Sequence, residues 1–170
     1  TPYEQVLTSK LVDVVKYEKL DLLHVHYAIP HASAAYMAQQ ILKDQGIEIP
    51  FITTLHGTDI TLVGKDPSFE PVITFSINKS NVVTAVSQSL KEDTIEHFNI
   101  KKDIKVVPNF ICLDDYKQIN NQKYKNRIAK NNEKIITHIS NFRKVKRIQD
   151  VLRCFKIINE SLPAKLILVG

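Results

Sequence analysis

Short β-branched runs alternate with longer helical patterns along most of this 170-residue chain. That alternation is its tightest constraint, because strands separated by helical segments imply parallel βαβ units with right-handed crossovers. Residues 4–19 place Val6, Leu7, Leu11, Val14 and Val15 near one helical face. Asp21–Tyr27 (DLLHVHY) reads as a buried strand, followed by a helix over 31–45 that Gly46 closes. Pro50–Leu55 is a second strand, 68–80 a helix, Asn81–Val86 a third strand, and Ile104–Val107 a fourth that stops at Pro108. Ser87 is placed to cap a helix over 88–98. Apolar periodicity is then lost across 113–133, which reads as a connection holding at most a short helix. The pattern restarts with a strand at 134–140, a helix at 147–160 and a strand at 165–169. The expected fold class is therefore α/β, with two doubly wound parallel-sheet lobes, both incomplete. Residues 1–112 belong to the first, 113–133 connect, and 134–170 begin the second.

Parallel sheets bind ligands beyond the carboxyl ends of their strands. That rule singles out the loops at 26–31, 55–61, 86–89, 108–112 and 140–147, where the unusual polar residues of the chain are concentrated. The charge distribution points the same way. The net charge is +5, yet residues 121–150 carry nine Lys/Arg against Glu133 and Asp150, a local +7. Such a patch suits a phosphate-bearing partner, although a solvated lysine-rich connection accounts equally well for 121–134. The two cysteines, Cys112 and Cys154, have no motif spacing, which favours a reduced, cytosolic setting. No apolar run approaches the roughly 20 residues needed to span a bilayer.

Three constellations can carry chemistry. In Ser140–Arg147 (SNFRKVKR) a strand end, a short loop and a helix start coincide. Helix N-termini offer unpaired N–H groups and partial positive charge, and Arg143 and Lys146 add full charges there. A diphosphate fits such a place, and the absence of a glycine-rich cradle excludes a P-loop or a dinucleotide fingerprint. In Leu55–Asp59 (LHGTD) a tight turn exposes His56, Gly57 permits close approach or positive φ, and Asp59 can cap the next segment or orient His56. In His24–Tyr27 (HVHY), strand alternation puts His24 and His26 on one face, with His31 following. No carboxylate or thiolate follows at a ligand spacing, so hydrogen-bonded histidines are expected there rather than a metal site. Tyr27 can offer a hydroxyl to an acceptor carboxylate, or simply pack as a ring.

Taken together, DLLHVHYAIPHA, FITTLHGTDITLVGKD, VVTAVSQSL, IKVVPNFI and HISNFRKVKRIQDVL resemble the retaining GT-B glycosyltransferases, over essentially the whole chain. The resemblance implies two Rossmann-like lobes with the site between them, the first binding the acceptor and the second the nucleotide sugar. Within that family it implies transfer of N-acetylglucosamine from UDP-N-acetylglucosamine to the hydroxyl of L-malate, the first step of bacillithiol biosynthesis. Neither metal nor other cofactor is implied, since protein cations and helix dipoles hold the diphosphate. The pattern carries over to Lys146 as a diphosphate ligand. Asn141 stands where relatives often have Arg, and Arg143 lies nearby, so their separate roles stay open. His56 is the catalytic candidate, and Tyr27 and Thr54, at neighbouring strand ends, are candidates for the acceptor carboxylates. A glycine-rich loop and a glutamate pair of the family would lie before Thr1 and after Gly170. The expected setting is cytoplasmic, without membrane or nucleic-acid partners, and uncovered sheet edges invite homo-oligomers. Two rival readings remain: a related glycosyltransferase with a polysaccharide or lipid acceptor, and a non-catalytic nucleotide- or nucleic-acid-binding module that uses the basic stretch.

Overall fold

A computed structural model describes residues 2–63, 66–117, 122–130 and 132–170. The chain divides into two units, Thr1–Ile111 and Cys112–Gly170. In the first, α1 (Tyr3–Glu18), β1 (Leu23–His26), α2 (Ser33–Asp44), β2 (Phe51–Leu55), α3 (Glu70–Lys79), β3 (Val82–Ala85), α4 (Gln88–His97) and β4 (Ile104–Val106) follow in order. The strands form one parallel sheet of order β1-β2-β3-β4. Each strand is added at the same edge, so right-handed crossovers send every connecting helix to the same face.

The register makes that face explicit. Leu23, Val25, Phe51, Thr53, Leu55, Val83, Ala85, Ile104 and Val106 project to one side. Beneath β1 and β2, Leu23 and Phe51 pack with Val12 and Val15 of α1 and with Ala35, Ala38 and Leu42 of α2. Beneath β2–β4, Leu55, Val83, Ala85 and Ile104 pack with Ile73 and Ile77 of α3 and Leu90 of α4. Each large aliphatic or aromatic side chain buried this way contributes about 1.5–3 kcal/mol. The opposite face carries His24, His26, Ile52, Thr54, Val82, Thr84 and Lys105. It is more open: His24, His26 and Lys105 are exposed and only Thr54 is buried. The described residues thus supply helices to one side of the winding.

Two local details have clear causes. Ser87 is extended and its Oγ accepts the Leu90 N–H at 3.1 Å, capping α4 as the sequence implies. The inward face of α1, however, is rotated from the expected one. Thr8, Val12 and Val15 are buried, while Val6 and Val14 are exposed. The close neighbour is the alanine-rich face of α2, which accepts a small residue: Thr8 Oγ1 donates to Glu4 O at 2.9 Å and lies 3.4 Å from Ala34 O.

The second unit contains α5 (Gln122–Ile128), β5 (Lys134–Ile139), α6 (Ile148–Ser161) and β6 (Ala164–Val169). β5 and β6 pair in parallel from Lys134↔Ala164 to Ile139↔Val169. Two strands and one crossover helix bury little. Of the described residues in this unit, Ala129 and Ala164 form its buried apolar content, and an open hollow of about 500 Å³ is lined by Ile136 and Leu166 of the sheet and Val151, Phe155 and Ile158 of α6. Among the described residues no helix is long and apolar enough to cross a membrane.

Candidate active site

At the carboxyl end of the first sheet, the chain leaving β1 makes a kinked turn over Ala28–Ala32. Tyr27 stands at its start with φ +76 and ψ 139, a conformation rare for a residue with a side chain and costing on the order of 1–3 kcal/mol. Two backbone bonds hold it there: the Tyr27 N–H donates to Thr54 O at 2.9 Å, and Tyr27 O accepts the Ala32 N–H at 3.2 Å. The chain leaving β2 passes His56 and Gly57, whose φ of +106 favours glycine.

Asp59 joins these two loops. It is 2% exposed, and its Oδ2 accepts the Ala28 N–H at 2.7 Å while its Oδ1 accepts the Gly57 N–H at 3.2 Å. A buried carboxylate is stable only where donors meet it, and here the donors are backbone amides of both loops. Asp59 therefore neither caps a regular helix nor orients the His56 ring. The partner of His56 is another histidine: His26 Nδ1 lies 2.8 Å from His56 Nε2.

The remaining rings gather around this pair. His24 stacks on His26 at 4.8 Å with 28° between planes, and Tyr27 lies 5.1 Å from His56 and 6.0 Å from His31, centroid to centroid. His31 Nδ1 makes a short bond to the His26 carbonyl oxygen. His24 Nε2 lies 2.8 Å from Thr54 Oγ1, which lies 2.7 Å from Thr84 Oγ1, so a chain of polar side chains crosses three strands. Partial desolvation, followed by the neighbouring His24, His56 and His31, lowers the His26 pKa from its ordinary 6.5. Among the described residues no group of three or more His, Cys, Asp or Glu side chains converges as metal ligands would.

Three of the residues singled out from the sequence, Tyr27, Thr54 and His56, thus lie at one end of one sheet. The His26–His56 contact and the double role of Asp59 went unread. The signal for the first was present, since parallel pairing of β1 with β2 sets His26 beside Thr54, two residues before His56.

In the second unit the loop after β5 runs through Ser140–Arg143 into a single turn at Lys144–Lys146, and then α6. Arg147 has φ +51 and turns the chain into the helix. Its Nε donates to Asp150 Oδ2 at 2.6 Å, and Arg153 donates to Asp150 Oδ1 at 3.1 Å. The Arg147 guanidinium holds the Asp150 carboxyl below the usual carboxylate range. Arg147 thus spends its Nε on Asp150, while among the described residues no ion pair engages its two terminal nitrogens. Arg143, Lys144 and Lys146 are exposed and make no ion pair among the described residues. Phe142, Arg143, Lys144, Arg147, Ile148, Gln149 and Asp150 line a concavity of about 530 Å³ at this end of α6. Of the residues singled out in this loop and turn, Arg143 lines that concavity, Lys146 lines the hollow between α6 and the sheet, and Asn141 lines neither.

Comparison with known proteins identifies the family. Residues 3–115 match the family model for Glycosyltransferase Family 4. The chain is 51% identical, over 99% of its length, to N-acetyl-alpha-D-glucosaminyl L-malate synthase of Bacillus anthracis, of which it covers 44%. It is 29% identical over 51% of its length to a Bacillus subtilis (strain 168) protein named for teichuronic acid biosynthesis as a glycosyltransferase, covering 22% of it. It is 28% identical over 57% of its length to an uncharacterized glycosyltransferase of Methanocaldococcus jannaschii, covering 26% of that protein. The chain therefore spans less than half the length of these relatives. A family match over most of the chain, together with parallel α/β sheets of the GT-B type, places it: the chain belongs to glycosyltransferase family 4.

Proposed function

We propose that this chain is part of a retaining glycosyltransferase that moves N-acetylglucosamine from UDP-N-acetylglucosamine to the hydroxyl of L-malate, the first step of bacillithiol biosynthesis. The observation that carries the reading is the 51% identity, along nearly the whole chain, to a relative named for N-acetyl-alpha-D-glucosaminyl L-malate synthesis. The two ligand-side loop clusters fit the two reactants in chemistry.

The donor diphosphate is assigned to the start of α6. Lys146 supplies a compact point charge, Arg143 a second cation, and Asn141 an amide donor, while the first-turn N–H groups of α6 add their partial positive charge. Arg147 spends its Nε on Asp150 and is not assigned a diphosphate contact. As UDP departs, negative charge grows on the leaving phosphate, and these groups stabilise it more strongly than the ground state. The acceptor hydroxyl attacks on the face that the leaving group vacates. A phosphate oxygen of the leaving group takes the acceptor proton, so no enzyme nucleophile is needed.

The acceptor is assigned to the carboxyl end of the first sheet. Tyr27 offers its phenol to a carboxylate from a loop held in a strained conformation. Thr54 Oγ1 can accept from both His24 Nε2 and Thr84 Oγ1, which leaves its own proton for a carboxylate. His56 orders the reacting partners. The setting assigned is the cytoplasm, where exposed Cys112 and Cys154 stay reduced. The test is UDP release by the full-length protein with UDP-N-acetylglucosamine and a panel of acceptors. Turnover with L-malate far above that with polysaccharide primers or lipid acceptors supports the reading. Preference for either of the latter replaces it.

A further inference from the structure

We infer that His26 is a positioning residue for His56: its Nδ1 engages Nε2 of His56 and leaves Nδ1 of His56 as the nitrogen available to a bound substrate. The inference rests on the assignment of His56 to the reacting centre and deepens it.

The geometry holds His26 from three sides. Its ring stacks on His24 at 4.8 Å, and its carbonyl oxygen is bonded by His31 Nδ1. Its Nδ1 is 2.8 Å from His56 Nε2. His24 is itself fixed through Thr54 and Thr84, so the anchoring reaches back into three strands of the sheet. His56, by contrast, sits in a loop. Apart from its packing on Tyr27, its described contact is with His26. A loop imidazole without such a partner samples both ring flips and both tautomers. The His26 bond holds one ring orientation, with Nε2 toward His26.

Chemistry narrows the protonation states. An N–H···N bond needs one proton and one lone pair, so both rings cannot be cations while it exists. The titratable groups facing His26 are His24, His31 and His56. The Asp59 carboxylate, the nearest anion of these loops, is spent on the Ala28 and Gly57 amides. Nothing in that set favours a charged His26, and its lowered pKa agrees. Whichever ring donates, Nε2 of His56 is the nitrogen engaged. Nδ1 of His56 is then the nitrogen left for a bound substrate, as an acceptor when His56 donates to His26 and as a donor when it accepts.

The test uses the full-length protein in three forms: wild type, His26→Asn and His26→Leu. The Asn amide keeps a polar atom near the place of Nδ1, and Leu keeps bulk without it. Expected is a fall in kcat of about ten- to a hundredfold for His26→Leu, with the KM values for UDP-N-acetylglucosamine and malate little changed, and rescue of most of that loss by His26→Asn. Histidine 15N spectra of the wild type should show a hydrogen-bond coupling between His26 Nδ1 and His56 Nε2, absent in His26→Leu. A wild-type kcat for His26→Leu, or no rescue by Asn, overturns the inference. If His26→Leu does not fold, the wild-type spectrum still decides, since absence of that coupling there also overturns it. His56→Ala separates the two levels. If it retains full kcat, the assignment of His56 fails and the inference with it. If it loses kcat while His26→Leu does not, the assignment stands and the inference alone fails.

Discussion

Asp59→Ala should loosen both ligand-side loops at once, and the size of the effect follows from two bonds. The Ala28 N–H is fully buried and donates to the carboxylate at 2.7 Å. Removing the acceptor forfeits a charge-assisted bond worth about 1.5–3 kcal/mol and strands a buried donor. The Gly57 N–H is part-exposed and 3.2 Å from its acceptor, so water replaces most of that bond. The sum is about 2–4 kcal/mol. Asp59→Asn should cost less, because its one amide oxygen can keep the Ala28 bond while Gly57 turns to water. Hydrogen exchange at the Ala28 amide of the full-length protein reads this directly. Protection should fall by roughly 30- to 1000-fold in the Ala variant, and by a smaller factor in the Asn variant. Protection within about twofold of wild type in Asp59→Ala, or a larger loss for Asn than for Ala, would refute the reasoning.

Other expectations concern single groups. Lys146→Ala in the full-length protein should weaken UDP binding about tenfold or more, by loss of a charge-assisted bond; unchanged affinity by calorimetry would remove Lys146 from the donor site. Tyr27→Phe should raise the KM for malate more than that for the donor, and equal effects would argue against an acceptor role. His56→Ala should lower kcat with little change in the melting temperature; a collapse of stability with a normal residual rate would reverse that assignment. The His26 pKa is lower in the folded protein than in the unfolded chain, so the stability it contributes is present above about pH 6.5 and is lost as pH falls through its folded value. Wild type should therefore lose more melting temperature than His26→Asn on acidification from pH 7.5 to 5.5, and parallel curves would contradict this.

The strands were legible because each is a short β-branched run bounded by turn residues: Phe51–Leu55 and Val82–Ala85 lie within a residue or so of where the pattern places them. Ser87 was legible as a cap because an N-cap is a local event, one hydroxyl and one amide three residues on. The inward face of α1 was not, because Val6 and Val14 outrank Thr8 in hydropathy, while the choice was made by the alanines of α2, which belong to another part of the chain. The same division runs through the site. His56 and Lys146 stand out by their position after a strand or before a helix. The ion pair of Arg147 with Asp150 was not legible, because it depends on side-chain geometry at the first turn of α6. Asp59 holds two loops 31 residues apart in sequence, and only their packing reveals it.

The proposed reaction is tested most directly by the anomeric proton of the product that the full-length protein makes from UDP-N-acetylglucosamine and L-malate. A retaining transfer to the malate hydroxyl predicts a new glycoside signal that grows with UDP release and carries the small coupling of an α linkage. UDP release without a malate glycoside, or a β-coupled product, would contradict the account.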